Sequence, residues 1–179
     1  MKVIVCYGTG CDENTAWIPW LKSSLEKANI DCIVPSLPTP INQNYKTWKS
    51  ILNGINIEKD DMVVGWSTGA IFAVRYLFEN KKNIKKLITV SGFNNYVGTD
   101  PFVDNINKDF FMKDISVAKN VAKEIIGFKS NNDPFITQEA LNNFTSALNA
   151  RTINIENGGH FNAGAGYITF NELINEIMG

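Results

Sequence analysis

Histidine, cysteine and charge of one sign are scarce in this sequence, and each scarcity excludes a class of function. The 179 residues hold a single histidine, His160, so a metal site built from three histidines is impossible. There are 3 cysteines and no CxxC pair, which argues against a disulfide framework or a cysteine-built zinc site. The 17 basic and 18 acidic residues leave a net charge of −1, which argues against nucleic acid or an anionic membrane as the main partner.

Long apolar runs and linkers are also missing. No stretch approaches the roughly 20 apolar residues of a membrane span, and the apolar run before Tyr7 is too short for the core of a signal peptide. No internal repeat, Gly/Ser-rich segment or block of like charge divides the chain. We therefore expect one domain, residues 1–179, in the cytoplasm with its thiols reduced.

Short apolar segments alternate with longer amphipathic ones, and this alternation predicts the fold class. Segments rich in Val and Ile predict buried strands, and apolar residues at helical spacing predict helices between them. The pattern is typical of a parallel sheet covered on both faces, so we predict a doubly wound α/β fold with about six parallel strands. The predicted strands are 3–6, 32–34, 62–65, 87–90, 125–129 and 153–155, and the predicted helices are 17–28, 45–53, 70–78, 138–148 and 168–178.

A long aromatic connection, residues 91–112, follows the fourth predicted strand. Connections of this length in a compact domain are usually functional, and ligands of open parallel sheets bind beyond the carboxyl ends of the strands. We therefore expect a substrate pocket there. Its expected lining residues are Gly10, Trp66, Phe93, Phe110 and Phe111.

The most informative motif is Gly65-Trp66-Ser67-Thr68-Gly69, which lies between an apolar strand and an apolar helix. It matches G-x-S-x-G, the strand–turn–helix signature of a nucleophilic serine. Small residues at the two glycine positions let neighbouring backbone pass close by, and the free N–H groups of the following helix lie beside the serine. The motif predicts that Ser67 is a nucleophile.

A serine hydroxyl needs a base, and the one imidazole of the chain lies just after the last predicted strand. His160 therefore fits the Ser–Asp–His order of hydrolases with this motif. Asp133, the one acidic residue in the loop after the preceding strand, is the candidate that orients the imidazole. An oxyanion hole needs two backbone N–H groups; we expect these from Thr68 and from Thr9, with Gly10 as the alternative to Thr9.

These residues together resemble the α/β-hydrolase superfamily. More narrowly, they resemble the short, lid-poor serine hydrolases related to retinoblastoma-binding protein nine and its bacterial esterase relatives. The resemblance extends over nearly the whole chain, and its most specific parts are the serine motif and Gly159-His160-Phe161. It implies a sheet of about six parallel strands with Ser67, Asp133 and His160 as a catalytic triad. The chain departs from many relatives in having Tyr7-Gly8 where they have His-Gly or Pro-Gly.

The sequence favours a serine hydrolase that cleaves small-molecule carboxylic esters of small or medium acyl groups without a metal or organic cofactor. A non-catalytic ligand- or protein-binding module on the same fold is one alternative, because fold alone does not prove turnover. A flavodoxin-like phosphate or flavin binder is another, since Thr9-Gly10 and Asn14-Thr15 form a hydroxyl-rich loop. The sequence leaves a protein partner open.

Overall fold

The computed structural model describes residues 1–97 and 101–179, and its regular elements alternate between strand and helix. Three short 3₁₀ turns, at Lys108–Phe110, Ile115–Ala118 and Ala163–Ala165, complete the described secondary structure. In chain order the elements are β1 Lys2–Cys6, α1 Ile18–Lys27, β2 Asp31–Ile33, α2 Tyr45–Leu52, β3 Met62–Trp66, α3 Thr68–Glu79, β4 Ile84–Val90, α4 Pro101–Asn107, β5 Ala122–Ser130, α5 Gln138–Ala147, β6 Arg151–Ile155 and α6 Asn171–Met178.

The six strands form one parallel sheet in the order β2-β1-β3-β4-β5-β6. The chain runs from β1 outward to β2 and then returns to the other side of β1 with β3. This reversal lies between β1 and β3, which pair in the register Val5↔Val64 and Cys6↔Gly65. In open α/β sheets the crevice at such a reversal is where ligands bind. The fold therefore directs attention to the loops after β1 and β3.

Helices cover both faces of the sheet, as the burial of β3 shows. All five residues of β3 are buried, although alternate residues of a strand point to opposite faces. The helix that follows, α3, is buried over most of its circumference, with nine of its twelve residues buried. Such burial on every side is typical of a helix packed at the centre of a molecule. The predicted doubly wound α/β fold is confirmed.

Local predictions that need correction include the connection 91–112 and the starts of β4, of β5 (Ala122, not 125) and of α6 (Asn171, not 168). The connection 91–112 is not wholly irregular, because it contains the helix α4. The strand β4 begins at Ile84 rather than residue 87, so Lys85 and Lys86 belong to the sheet. Lys86 is 7% exposed, with its ammonium group 3.4 Å from a Glu124 carboxylate oxygen. The two lysines lower the apolar content at the start of β4, so the sequence pattern did not show where this strand begins. The buried ammonium group of Lys86 is paired with a carboxylate, as buried charges usually are.

Within the described ranges, no helix has the length and apolar character needed to cross a bilayer. The three cysteines are all free thiols. Burial raises the pKa of each thiol, to about 12 for Cys6 and to about 11 for Cys11 and Cys32. These thiols are therefore protonated, and so weakly nucleophilic, near neutral pH.

Candidate active site

Ser67 occupies a strained turn between β3 and α3. Its backbone has φ 56° and ψ −124°, a conformation that L side chains rarely adopt. The Ser67 N–H donates to the Val90 carbonyl across the sheet at 2.8 Å, and the Ser67 carbonyl accepts from the N–H of Ala70 at 2.9 Å. These bonds fix both sides of the turn, and the side chain is presented beyond the carboxyl edge of the sheet.

Close backbone approach around the turn requires glycine at three positions. A Cβ atom at Gly69 would lie 2.0 Å from the Cys6 carbonyl oxygen, and one at Gly65 would lie 2.6 Å from the Ala70 Cα. A Cβ at Gly8, in the loop after β1, would lie 2.7 Å from the Ser67 Cβ and 3.2 Å from its Oγ. The glycines of the serine motif thus serve packing, and Gly8 brings the first loop directly against Ser67.

His160 lies in a tight loop after β6 that two tryptophans hold in place. Gly159 and Phe161, on either side of it, have φ of 55° and 54°. The Trp66 Nε1 donates to the His160 carbonyl at 3.0 Å, and the Trp17 Nε1 donates to the Phe161 carbonyl at 3.0 Å. The residue beside Ser67 in the serine motif therefore also fixes the backbone that carries the imidazole.

The side chain of Asp133 is fully buried and pairs with His160. The His160 Nδ1 lies 2.8 Å from the Asp133 Oδ2, which also accepts a 2.7 Å bond from the Ser91 hydroxyl. The other oxygen, Oδ1, accepts the backbone N–H groups of Phe135 and Ile136 at 2.9 and 3.0 Å. Burial by itself would raise the pKa of this carboxyl, but the bonds from His160, Ser91 and Phe135 outweigh it and lower the pKa below its usual range. Asp133 is therefore ionised at neutral pH.

Two asparagines before Asp133 tie its loop to the histidine loop. The Asn131 Oδ1 accepts the N–H of Asn157, and the Asn132 Oδ1 accepts the N–H of Gly159, both at 2.8 Å. Both hydrogen bonds lie at the exposed surface and cross from one loop to the other. The bonds of Asn131 and Asn132 thus help to fix the distance between Asp133 and His160, in addition to the hydrogen bond between those two residues.

Ser67 and His160 line the same cavity, whose volume is about 570 Å³. One part of its wall is polar and comes mainly from the loop after β1 and from Asn107 and Asn162. The other part is apolar and comes from the segments after β4 and β5 and from α4. The described lining residues are Gly8, Thr9, Cys11, Thr15, Trp66, Ser67, Phe93, Val97, Val103, Asn107, Pro134, Phe135, Ile136, His160 and Asn162.

Comparison with known proteins agrees with this geometry. A family model described as serine hydrolase matches residues 3–178, nearly the whole chain. The chain belongs to the serine hydrolase family.

Two solved structures and one sequence relative show how far the likeness extends. The hydrolase is 26% identical to rat "Serine hydrolase RBBP9" over 98% of this chain and 93% of that protein. The ydeN gene product of B. subtilis superimposes with a TM-score of 0.89 at 20% identity, over 99% of this chain and 96% of that chain. Est1E from Butyrivibrio proteoclasticus gives 0.70 at 14% identity, over 98% and 84%. The predicted membership of the short serine hydrolases related to RBBP9 is confirmed.

The residues expected to form the oxyanion hole of this hydrolase lie beside Ser67. Thr68 is the first residue of α3, where a backbone N–H has no partner within the helix. Thr9 lines the cavity, whereas the N–H of Gly10 donates to the Thr39 hydroxyl at 2.7 Å. In the first loop, Thr9 thus lies at the cavity, and the N–H of Gly10 already has a partner.

Three of the expected pocket residues lie elsewhere. The described cavity wall includes Trp66 and Phe93 but not Gly10, Phe110 or Phe111. Phe110 is fully buried in the main core, where the Trp48 ring lies 4.8 Å from it. Phe111 contacts Phe93 at 6.0 Å between ring centroids without reaching the cavity. Phe110 and Phe111 are adjacent but point in different directions, so the sequence alone could not show which of them packs into the core.

Sequence reasoning missed several residues of the site. Ser91 was read only as the start of a connection, and Phe135, whose ring packs edge-on to His160 at 5.1 Å, was not singled out. Asn107 was missed as well. The position of Ser91 just after a predicted strand was a usable signal, because that edge of the sheet carries the site. Asn107 gave no signal, since it lies in a helix that the sequence did not reveal.

The described residues contain no group of three or more His, Cys, Asp or Glu side chains placed to hold a metal ion. The electrostatics of the site thus come from the Asp133–His160 pair and from backbone N–H groups at the start of α3. Such an arrangement can activate a hydroxyl nucleophile and stabilise a developing oxyanion.

Proposed function

We propose that this hydrolase cleaves carboxylic esters of small or medium acyl groups through a Ser67–His160–Asp133 triad and an acyl-enzyme. The observation that carries the proposal is the 2.8 Å bond between His160 and the buried Asp133, with His160 in the same cavity as Ser67. No other imidazole exists in the chain to serve as the base.

In the first half of the reaction, the Ser67 Oγ attacks the ester carbonyl carbon and its proton passes to the His160 Nε2. Asp133 holds Nδ1, which fixes the tautomer and stabilises the imidazolium that forms. The carbonyl oxygen becomes an oxyanion that the Thr68 and Thr9 N–H groups bind. The tetrahedral intermediate then collapses, and His160 returns the proton to the departing alcohol.

In the second half, water attacks the acyl-enzyme carbonyl while His160 again accepts a proton. The second tetrahedral intermediate releases the carboxylic acid and restores the Ser67 hydroxyl. No metal or organic cofactor takes part in either half.

The cavity supports an acyl group of limited size. Its volume of about 570 Å³ lies within the range of small-molecule sites. Phe93, Val97 and Ile136 provide apolar surface for a hydrocarbon chain. A small-molecule ester is thus the proposed partner, and the cytoplasmic location stays a prediction.

Substitution of Ser67 tests the proposal directly. We expect Ser67→Ala to abolish hydrolysis of p-nitrophenyl acetate and butyrate while the circular dichroism spectrum and melting temperature stay close to those of the wild type. A matched control is Ser146→Ala, which removes an exposed hydroxyl from α5, outside the described lining of the cavity. Turnover retained in Ser67→Ala would place the nucleophile elsewhere.

Labelling separates an enzyme from a binding module on the same fold. A fluorophosphonate should modify the wild type at Ser67, located by peptide mass spectrometry, and should leave Ser67→Ala unmodified. An unlabelled, inactive wild type would favour the non-catalytic alternative. A yellow purified protein would instead favour a flavin binder.

A further inference from the structure

A cluster of amide and hydroxyl side chains lies beside the cavity, on the side of the first loop. We call it the amide–hydroxyl cluster; its members are Thr9, Thr39, Gln43, Thr68 and Asn107. Thr68 is fully buried, Asn107 is 1% exposed and Gln43 is 8% exposed. Burying so many polar side chains in one place is costly unless each is hydrogen-bonded. The arrangement of those bonds indicates what the cluster holds in place.

The bonds converge on one atom, the Asn107 Oδ1 at the end of α4. It accepts from the Thr68 hydroxyl at 2.9 Å, from the Thr9 hydroxyl at 3.0 Å and from the Gln43 Nε2 at 2.8 Å. A carbonyl oxygen has two lone pairs, so one or two donors would satisfy it. Three donors from three different elements exceed what Asn107 needs and instead fix those elements relative to one another.

The Thr9 and Thr68 hydroxyl oxygens lie 3.1 Å apart, and because each hydroxyl gives its single hydrogen to the Asn107 Oδ1, the two residues are linked through Asn107. These are the two residues whose backbone N–H groups are proposed to form the oxyanion hole. One lies in the loop after β1 and the other at the start of α3, 59 positions apart in the chain. Asn107 therefore links the side chains of the two residues at the edge of the cavity.

The segment before α2 secures the first loop a second time. The Gln43 Nε2 donates to the Thr9 Oγ1 at 2.7 Å, and the Thr39 hydroxyl donates to the Gln43 Oε1. The Thr39 Oγ1 in turn accepts the N–H of Gly10 at 2.7 Å. The side chain of Thr9 and the backbone of Gly10 are thus held by the same cluster.

We propose that Asn107, through its bonds to Thr9 and Thr68, is a positioning residue that sets the spacing of the two backbone donors of the oxyanion hole. This rests on the proposed function, because it presupposes that Thr9 and Thr68 bind the oxyanion. Asn107 acts through these residues; its own role is to hold them.

The effect of losing Asn107 follows from how an oxyanion hole works. Its donors must lie about 2.7–3.1 Å from the position the oxyanion takes in the transition state, and removing one donor outright costs roughly 10²–10³ in kcat. Asn107→Leu loosens both donors without removing either, so we expect kcat to fall about 10- to 100-fold. Since the hole is complementary to the transition state and not to the ground state, KM should change less than about twofold.

The experiment compares Asn107→Leu, Thr9→Val and the double variant in p-nitrophenyl ester hydrolysis. Thr9→Val keeps the backbone N–H and the shape of the side chain but loses the hydroxyl. Because both changes break the same linkage, the double variant should lose little more kcat than Asn107→Leu alone. The inhibition constant of a trifluoromethyl ketone, which forms a tetrahedral adduct, should rise in parallel with the loss of kcat.

A matched control is Thr145→Val in α5. Thr145 is buried like Gln43, Thr68 and Asn107, at 4% exposure, and its hydroxyl donates to the Leu141 carbonyl at 3.0 Å. This variant should lower the melting temperature while kcat and the inhibition constant stay at wild-type values. Should Asn107→Leu fail to fold, Thr9→Val and Gln43→Met carry the same test.

The outcomes separate the two proposals. If the wild type hydrolyses esters and Ser67 is labelled, but the Asn107 and Thr9 variants keep wild-type kcat, the positioning role of Asn107 is wrong. It is equally wrong if the losses of Asn107→Leu and Thr9→Val multiply in the double variant. If the wild type neither turns over esters nor labels at Ser67, the proposed function itself fails.

Discussion

Asp133 shows what a single residue needs in order to stay charged inside a protein. Its side chain is fully buried, yet hydrogen bonds from His160 and Ser91 and from two backbone N–H groups together keep its pKa below the usual range. The Ser91 hydroxyl shares the same oxygen as His160. Ser91 has φ 47°, so its backbone is held in a strained conformation that sends the hydroxyl to the carboxylate.

The contribution of Ser91 can be measured with a pair of variants. We expect Ser91→Ala to lower kcat/KM about tenfold, because a hydrogen bond to a charged group is worth roughly 1.5 kcal/mol. The measurement is kcat/KM for p-nitrophenyl butyrate between pH 5 and 8.

Ser91→Gly is the control for backbone strain, because glycine adopts a positive φ readily. If the hydroxyl matters, the alanine and glycine variants should lose the same activity even though their melting temperatures differ. A kcat/KM equal to that of the wild type in both variants would contradict a role for Ser91.

At the scale of elements, α2 and α3 are joined by one carboxylate. Glu79 at the end of α3 accepts bonds from the Lys49 ammonium at 2.6 Å, the Arg75 guanidinium at 2.9 Å and the Tyr45 hydroxyl at 2.8 Å. Partial burial alone would raise the pKa of Glu79, but these bonds outweigh it and lower the pKa to about 2. The charged form of Glu79 is therefore favoured in the folded protein.

The pH dependence of stability follows from the sign of that shift. Because the folded-state pKa is depressed, Glu79 stabilises the fold above the ordinary glutamate pKa of about 4.3, and this contribution is lost as pH falls toward 2. We expect Glu79→Gln to lower the melting temperature at pH 7 and the difference from wild type to shrink between pH 4.5 and 2. The matched control is Glu26→Gln on the exposed face of α1. A difference that stays constant down to pH 2 would contradict this account.

The helix α4 shows where element prediction reached its limit. Its seven residues include Phe102 and Val103 next to a proline, with few of the features that mark an amphipathic helix. Yet α4 contributes Val103 and Asn107 to the cavity wall. The helix is short enough that tertiary contacts, rather than propensity, decide its existence.

At the scale of the whole molecule, the aromatic connection after β4 divides between core and cavity. Phe110 packs between α2 and α3, with Trp48, Phe72 and Tyr45 around it. Phe93 is nearly as buried, at 1% exposure, but it faces the cavity. Two phenylalanines of one segment thus serve different purposes.

Truncation should separate these purposes. We expect Phe93→Ala to raise the octanoate-to-acetate ratio of kcat/KM about tenfold, because the vacated space admits more methylenes, each worth about 0.8 kcal/mol when buried. Phe110→Ala should leave this ratio unchanged and cost about 3–5 kcal/mol of unfolding free energy. Urea melts and a graded series of p-nitrophenyl acyl esters measure both effects.

The ratio does not depend on the fraction of folded enzyme, so it stays informative for a destabilised variant. A similar change of ratio in both variants would mean that Phe110 also shapes the acyl site. Phe110→Leu, which leaves a smaller void, is the control should the alanine variant not fold.

The amino-acid sequence by itself determined the alternation of strands and helices, the serine turn and the types of residue in the site. It could do so because apolar periodicity is local, and because only glycine tolerates the close approaches that a Cβ at Gly65 or Gly69 would turn into clashes. A single histidine also left one imidazole as the candidate base. These constraints act within a few neighbouring residues or by count alone.

Tertiary structure alone decided which distant side chains meet. The bonds of Ser91 to Asp133 and of Asn107 to Thr9 join residues 42 and 98 positions apart. Phe110 and Phe111 are adjacent in the chain, and only the packing of α2 and α3 around Phe110 gives the two rings different surroundings. Such contacts depend on strand order and on the direction in which each loop leaves the sheet. Neither of these produces a periodic pattern in the amino-acid sequence.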